Sequence, residues 1–173
     1  DPDTMEGKKK ILHAVLINNI IQEWIFFYSA FAMFFAMRDI GKMSNVCNGI
    51  DLVLIDESLH LKMGMEIIFT MIEETPEILE DASFIQVIQK TVVDAVDLEL
   101  KFLEQQFASG ITFGLGYKEM AEYLKYVADR RLTELGFGAY FGVEHNPLQF
   151  LEKQDVMTLQ NFFEVTRNQY TNY

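Results

Sequence analysis

The seven residues Leu54–His60, LIDESLH, place two carboxylates and an imidazole inside an apolar run that extends over positions 50–69. The length and spacing of that run predict a helix. On a helix, positions three apart share a face, about 5–6 Å apart at Cβ, so Glu57 and His60 point the same way. They form either the solvated edge of an amphipathic helix or, as Glu-x-x-His pairs do in helix bundles, part of a metal site.

The rest of the chain also has a helical pattern, with no alternating strand pattern of useful length. Gly41 and Gly136 are helix-ending signals, and Pro76 suits a first helical turn. Long helices joined by short turns predict an all-α antiparallel bundle. The predicted helices cover about residues 7–39, 48–74, 76–108 and 118–135, with a short one near 156–163.

Composition excludes several classes of partner. The 173 residues suit one domain, and 26 acidic against 14 basic residues give a net charge of −12. This charge argues against nucleic acid or an anionic membrane surface as partner. A single cysteine, Cys47, excludes an internal disulfide framework, and with no secretory signal in DPDTMEGKKK we expect a cytoplasmic protein.

The first helix could be mistaken for a membrane span. Glu23 is its only charged residue between Leu12 and Met37, and the uninterrupted apolar part is the 14 residues from Trp24 to Met37. Spanning needs about 20 residues, and a carboxylate in the bilayer is costly. We therefore predict a buried core helix and no membrane.

Counting along the chain brings a third ligand to the pair. Glu23 and Glu57 are 34 positions apart, with their midpoint at Ile40 beside the predicted turn. In an antiparallel hairpin such residues lie level, so Glu23 should face Glu57 and His60. Buried carboxylates repel each other, and a cation relieves the repulsion; carboxylate and imidazole ligands together suit iron or manganese. Asp56 lies on another face and suits an acceptor that orients a ligand histidine.

Five segments carry a resemblance to a known family: QEWIFFYSAFA, LIDESLH, EMAEYLKYVADRRLTELGF, HNPLQF and NFFEVTRNQY. Through them the chain resembles the small (R2, beta) subunit of class I ribonucleotide reductase over nearly all of residues 1–173. The resemblance implies a ferritin-like bundle with a dinuclear Fe, Mn or Mn/Fe centre, which reacts with oxygen species. It further implies transfer of the oxidising equivalent to a large subunit for deoxyribonucleotide synthesis, and a dimeric small subunit.

The resemblance also implies roles for individual residues. Glu23, Glu57 and His60 correspond to metal ligands, and Asp56 to the aspartate that bonds a ligand histidine and joins the radical-transfer route. A pocket near the radical site corresponds to three apolar residues, namely Phe27, Phe31 and Val53.

The chain departs from the family pattern in two respects. Ile55 stands where an arginine often precedes the aspartate, and no second Glu-x-x-His precedes Glu23, since His13 has no Glu three positions before it. The chain therefore resembles the C-terminal half of such a subunit. A polypeptide or segment with the N-terminal half and the other ligands is the expected partner, and residues 1–6 and 164–173 are expected to be extended or flexible ends.

Two other functions are open: a ferritin-like dimetal oxidase acting on a small molecule, or a non-catalytic half-subunit needed for assembly. Among the remaining groups, we expect Cys47 to be a buried or inert thiol. His13 and His145 are expected to be ordinary helix and loop residues. The solvated face of the third helix should carry four acidic residues, Asp94, Asp97, Glu99 and Glu104.

Overall fold

The computed structural model describes residues 1–110 and 113–151, and helices dominate this part of the chain. No strand element occurs in these two ranges, as the sequence pattern predicts. The elements are α1 (Met5–Val15), a π-helical segment (Leu16–Phe26), α2 (Phe27–Asp39), α3 (Ser44–Glu74), a 3-10 turn (Pro76–Glu80), α4 (Ala82–Gln106) and α5 (Tyr117–Glu134).

The first three elements form one continuous helical rod, Met5–Asp39, at the centre of the fold. Leu16, Ile20 and Ile25 in its middle are buried, and the rod contacts α3, α4 and α5. Its length and composition would suffice to cross a membrane, but 56% of its most apolar window is buried inside the structure. Core helices pass the same test of length and composition, and the burial is what we expect of a core helix.

Two asparagines, Asn18 and Asn19, follow each other in the first turn of the π-helical segment. The side-chain amide of Asn18 donates to the carbonyl of Ala14 at 2.8 Å, and that of Asn19 donates to the carbonyl of Val15 at 3.1 Å. In a π-helix the backbone N–H groups bond five residues back instead of four. The two amides supply donors at the junction where the hydrogen-bond ladder changes, and so stabilise the wider helix that carries Glu23.

A tight turn folds the rod back onto α3. Gly41 has a φ of +73°, a left-handed conformation that costs glycine little, and the N–H of Lys42 bonds the carbonyl of Met37 at 2.8 Å. Beyond the turn, Arg38 donates to Asp51 at 2.6 Å and ties the base of the hairpin together. The hairpin therefore turns where the sequence predicts, and residues equidistant from it come level.

The third predicted helix, 76–108, is wrong as one continuous helix. The chain forms the 3-10 turn Pro76–Glu80, becomes extended at Asp81, and restarts as α4. The Asp81 carboxylate accepts hydrogen bonds from the backbone N–H groups of Ser83 and Phe84 at 2.9 and 3.1 Å. It also pairs with Lys9. An aspartate at this position caps a new helix start, which a pattern of apolar residues alone does not reveal.

The expected solvated face of this helix is also wrong at one position. Asp94, Asp97 and Glu104 are exposed, but Glu99 is buried. Its carboxyl accepts a hydrogen bond from Ser29 of the rod at 2.5 Å. Glu99 lies one turn from Leu103 on the face that packs inward, and burial raises the pKa of its carboxyl.

The irregular stretch after α5 is held by one carboxylate. Asp129 is buried and accepts from the backbone N–H groups of Tyr140, Phe141 and Val143 at 2.7, 2.8 and 2.8 Å. These bonds fasten the loop to α5. The short helix near 156–163 and the end 164–173 lie outside the described residues.

Two further expectations concern the start of the chain and the cysteine. Within the first six residues, α1 already begins at Met5, and the side chain of Thr4 caps it by accepting from the N–H of Gly7. The thiol of Cys47 is buried and donates to the carbonyl of Phe34 at 3.2 Å. This thiol lies in the core, as the sequence predicts.

Candidate metal centre

The π-helical segment and α3 bring Glu23, Glu57 and His60 together. Each of the three side chains offers one ligand atom, and these atoms all lie within 4.8 Å of one another. His60 Nδ1 is 3.1 Å from Glu57 Oε2 and 4.0 Å from Glu23 Oε2. The side chains are unequally exposed: 13% for Glu57, 23% for Glu23 and 54% for His60. The cluster is thus rooted between two helices and opens towards the surface on the side of His60.

The electrostatics of the cluster are those of crowded carboxylates. A hydrogen bond with Glu57 raises the pKa of Glu23, and burial and the negative charge of Glu57 raise it further. A hydrogen bond with Glu57 also raises the pKa of His60, with the charges of Glu57, Glu23 and Asp56 adding to the effect. Both groups therefore hold protons more tightly than usual, because positive charge relieves the repulsion.

A divalent cation would replace those protons. Within the described residues the ion pairs of Glu23 and Glu57 are made to His60, and no lysine or arginine neutralises them. Two carboxylate oxygens and an imidazole nitrogen are donors that suit iron or manganese. The donor set fits part of a dinuclear centre, and further ligands have to come from outside these three residues.

Asp56 does not join the cluster. Its side chain is exposed and reaches His60 only as a charge that raises the histidine pKa. Its predicted role, as an acceptor that orients a ligand histidine and joins the radical-transfer route, stays a prediction. The preceding Ile55 is half-buried.

The three residues of the predicted apolar pocket differ in exposure. Phe31 is buried, whereas Phe27 is 43% and Val53 41% exposed. The rings of Phe27 and Phe31 stack with centroids 6.2 Å apart. The assignment of these residues to a radical-site pocket stays a prediction.

The open side of the cluster continues as an apolar patch. Phe27 lies one turn after Glu23, while Val53, Met63 and Ile67 lie along α3 on the side of His60, and these four residues are 40–56% exposed. We call them the open face. Larger exposed apolar patches mark interaction sites, and these four residues are candidates for such a patch. The open face therefore surrounds a cluster of incomplete ligation with side chains suited to packing.

Sequence reasoning missed a buried group on the other side of Glu23. The guanidinium Cζ of Arg131 lies 3.8 Å from the ring centroid of Trp24, and the rings of Trp24 and Tyr28 are 3.7 Å apart. Arg131 is buried. One signal could have shown this, because Arg131 falls at helical spacing with Val127 and Leu124 on the apolar face of α5.

Comparison with known proteins gives a consistent result. A family model described as ribonucleotide reductase, small chain, matches residues 3–147. The ribonucleoside-diphosphate reductase subunit beta of Chlamydia pneumoniae is 30% identical over 166 residues, which cover 95% of this chain and 47% of that relative. The chain thus spans about half the length of this curated relative.

Solved structures share the fold. A class I ribonucleotide reductase structure from Bacillus halodurans superposes with a TM-score of 0.77 and 26% identity, covering 84% of this chain and 51% of that chain. The R2 subunit from Clostridium botulinum gives a TM-score of 0.74 at 23% identity, over 81% of this chain and 44% of that one. The prediction of an all-α, ferritin-like bundle is confirmed.

Proposed function

The chain belongs to the ribonucleotide reductase small-chain family, and from this we propose that it contributes to a radical-generating small subunit of ribonucleoside-diphosphate reductase. The observation that supports the proposal is the meeting of Glu23, Glu57 and His60, two carboxylates and an imidazole whose ligand atoms lie within 4.8 Å of one another. The family implies a dinuclear centre, and these residues would hold it together with ligands from elsewhere.

Each residue has a distinct part in the proposed site. Glu57 is the least exposed of the three and contacts both other groups, so it sets the positions of Glu23 and His60. An Fe or Mn/Fe centre, when bound, supplies the reaction with an oxygen species and the storage of an oxidising equivalent. Phe31, two turns along the helix from Glu23 and buried beside Phe27, would be the apolar wall on one side of the site.

The open face indicates the kind of partner. Its four apolar residues surround the exposed side of His60, and the chain covers only 47% of its Chlamydia pneumoniae relative. We propose that a helical segment carrying the remaining carboxylate and histidine ligands packs here and completes the centre. Association with a reductase large subunit and dimerisation of the completed small subunit are the further partners that the family suggests.

Reconstitution tests this function. The chain is purified with a small-chain segment that carries the other ligands, loaded with Fe or Mn and Fe, and assayed with a large subunit for ribonucleotide reduction. We expect about two metal ions per completed site, as ferritin-like dimetal proteins hold, and reduction that depends on both polypeptides. A complex that folds but binds neither metal would contradict the proposal. Metal-dependent oxidation without a large subunit would favour the small-molecule oxidase instead.

A further inference from the structure

Trp24 is the only tryptophan of the chain, and it follows Glu23 directly. Its side chain is buried, and its ring contacts Tyr28 at a centroid distance of 3.7 Å. Tyr28 in turn shares a hydrogen bond of 3.1 Å with Ser58, the neighbour of Glu57. An indole in this position lies close to the candidate metal centre and is among the side chains most easily oxidised.

A cation covers this ring. Arg131 Cζ is 3.8 Å from the Trp24 ring centroid, well within the range of a cation–π contact. The guanidinium remains charged in proteins, and Glu134, one turn along α5, accepts a hydrogen bond from its Nη1. The same nitrogen also contacts the sulfur of Met65 at 3.8 Å. Arg131 is therefore held over the indole by contacts on two sides.

Burying the charged guanidinium of Arg131 costs free energy, and the need to fill the space beside Trp24 does not explain why a charged residue is used. Burial lowers the pKa of Arg131, and its Nε lacks a hydrogen-bond partner within the described ranges. A leucine or methionine would fill this space without desolvating a charge. What a cation adds is an electrostatic effect on the π-electrons of the ring beneath it.

We propose that Arg131 makes Trp24 resistant to one-electron oxidation, so that oxidising equivalents formed at the neighbouring centre do not pass into the core. This inference rests on the proposed function. Oxidation of the indole removes one electron from the ring, reduces a metal-based oxidant by one electron and leaves a radical cation. A positive charge 3.8 Å away opposes that step, because it stabilises the neutral, electron-rich ring and destabilises the cation.

The proton of the indole supports the same conclusion. An oxidised indole becomes a neutral radical when its Nε1–H proton passes to an acceptor. Across the part of the chain that the structure describes, the buried Nε1 of Trp24 has no hydrogen-bond partner. Arg131 therefore opposes the loss of the electron. Among the described residues, no acceptor is in hydrogen-bond contact with Nε1 to take the proton.

Oxidation of the metal-free full chain tests the inference separately from the proposed function. Photogenerated tris(bipyridine)ruthenium(III) serves as the one-electron oxidant, and loss of Trp24 is followed by transient absorption and peptide mass mapping. Arg131→Met removes the charge at similar volume, and Arg131→Gln keeps a planar polar head should the methionine variant fail to fold. Arg131→Lys keeps the charge, and the control Lys90→Met removes an exposed charge of α4 that pairs with Asp94.

We expect Trp24 to be oxidised about ten-fold faster in the two neutral variants, since the matching free energy of about 1.4 kcal/mol lies between the exposed and desolvated ends of the cation–π range. Lys90→Met should behave as wild type, and Arg131→Lys should stay within about two- to three-fold of it because the charge is retained. Near-UV circular dichroism checks that each variant is folded. A folded neutral variant whose Trp24 reacts at the wild-type rate would overturn the inference, whether or not the chain supports ribonucleotide reduction.

Discussion

Gly64 of α3 lies directly against Asn19 of the π-helical segment. A Cβ added to Gly64 would be 2.3 Å from the Cβ and 2.7 Å from the Cγ of Asn19. Real Cβ atoms essentially never make contacts this short, so only glycine fits at position 64. The contact lies one helical turn from Glu23 on the rod and one turn from His60 on α3, on the side away from the hairpin turn. The close approach helps to bring the ligands of one helix within reach of those of the other.

Replacing Gly64 with alanine should therefore destabilise the chain by roughly 1–3 kcal/mol, the usual cost of overpacking a core. Urea unfolding measures the effect. Gly49 of the same helix is the matched control, because an added Cβ there meets no atom within 4 Å, and Gly49→Ala should stabilise by roughly 0.5–1 kcal/mol. Equal effects at the two positions would contradict the close approach.

Substitution of a candidate ligand should weaken metal binding, whereas substitution of another polar residue of α3 should not. In the completed subunit we expect Glu57→Ala and His60→Ala each to weaken metal binding by at least about ten-fold, since even outer contacts of metal sites are worth that much. Glu66→Ala is the control, because Glu66 is exposed on the same helix and does not belong to the cluster. Metal content by elemental analysis and titration with Mn²⁺ report the difference. Unchanged binding in Glu57→Ala would remove this residue from the site.

The buried carboxyl of Glu99 should make stability depend on pH. Burial raises its pKa above the ordinary value of 4.5, so its protonated form is favoured in the folded chain. The associated stability is fully present below pH 4.5 and is lost as the pH rises through the raised pKa. We expect Glu99→Gln, which stays neutral, to lose less stability than wild type between acid and neutral pH.

Thermal or urea unfolding over this range measures the Glu99 effect. Glu104→Gln changes an exposed residue of the same helix and should keep the wild-type pH profile. A Glu99→Gln profile parallel to that of wild type would show that the buried carboxyl does not change protonation on unfolding.

Asp129 should hold the loop that follows α5. Its carboxylate accepts three backbone hydrogen bonds, and charged hydrogen bonds contribute about 1.5–3 kcal/mol each. We expect Asp129→Ala to cost at least about 3 kcal/mol, with faster hydrogen exchange at Tyr140, Phe141 and Val143. Asp97→Ala, on the exposed side of α4, should stay within about 0.5 kcal/mol of wild type. Slow exchange at these amides in Asp129→Ala would mean that other contacts hold the loop.

The helices and the meeting of Glu23, Glu57 and His60 could be predicted from the sequence, because they depend on helical spacing and on the position of one turn. Helical spacing puts Glu57 and His60 on one face, and the position of the turn brings Glu23 level with them. The predicted bounds of α3 and α5 differ from the observed ones by a few residues, as expected for helix ends. The break before α4 escaped prediction, since capping by Asp81 depends on a side chain bonding to the backbone and leaves the apolar spacing unchanged.

Spacing along the chain was thus enough to predict an all-α hairpin on which Glu23, Glu57 and His60 meet, because the helical period is a property of the backbone and repeats everywhere. Their role as metal ligands stays a prediction. Which polar groups lie inside depended on packing. Glu99 is buried because Ser29 of the rod meets it, and Arg131 because Trp24 lies beneath it. Each partner comes from a distant part of the chain, and the free energy of burying a charge or a carboxyl is set by that partner. Helical spacing can place Arg131 and Glu99 on inward faces, but it does not identify the distant partner that makes their burial tolerable.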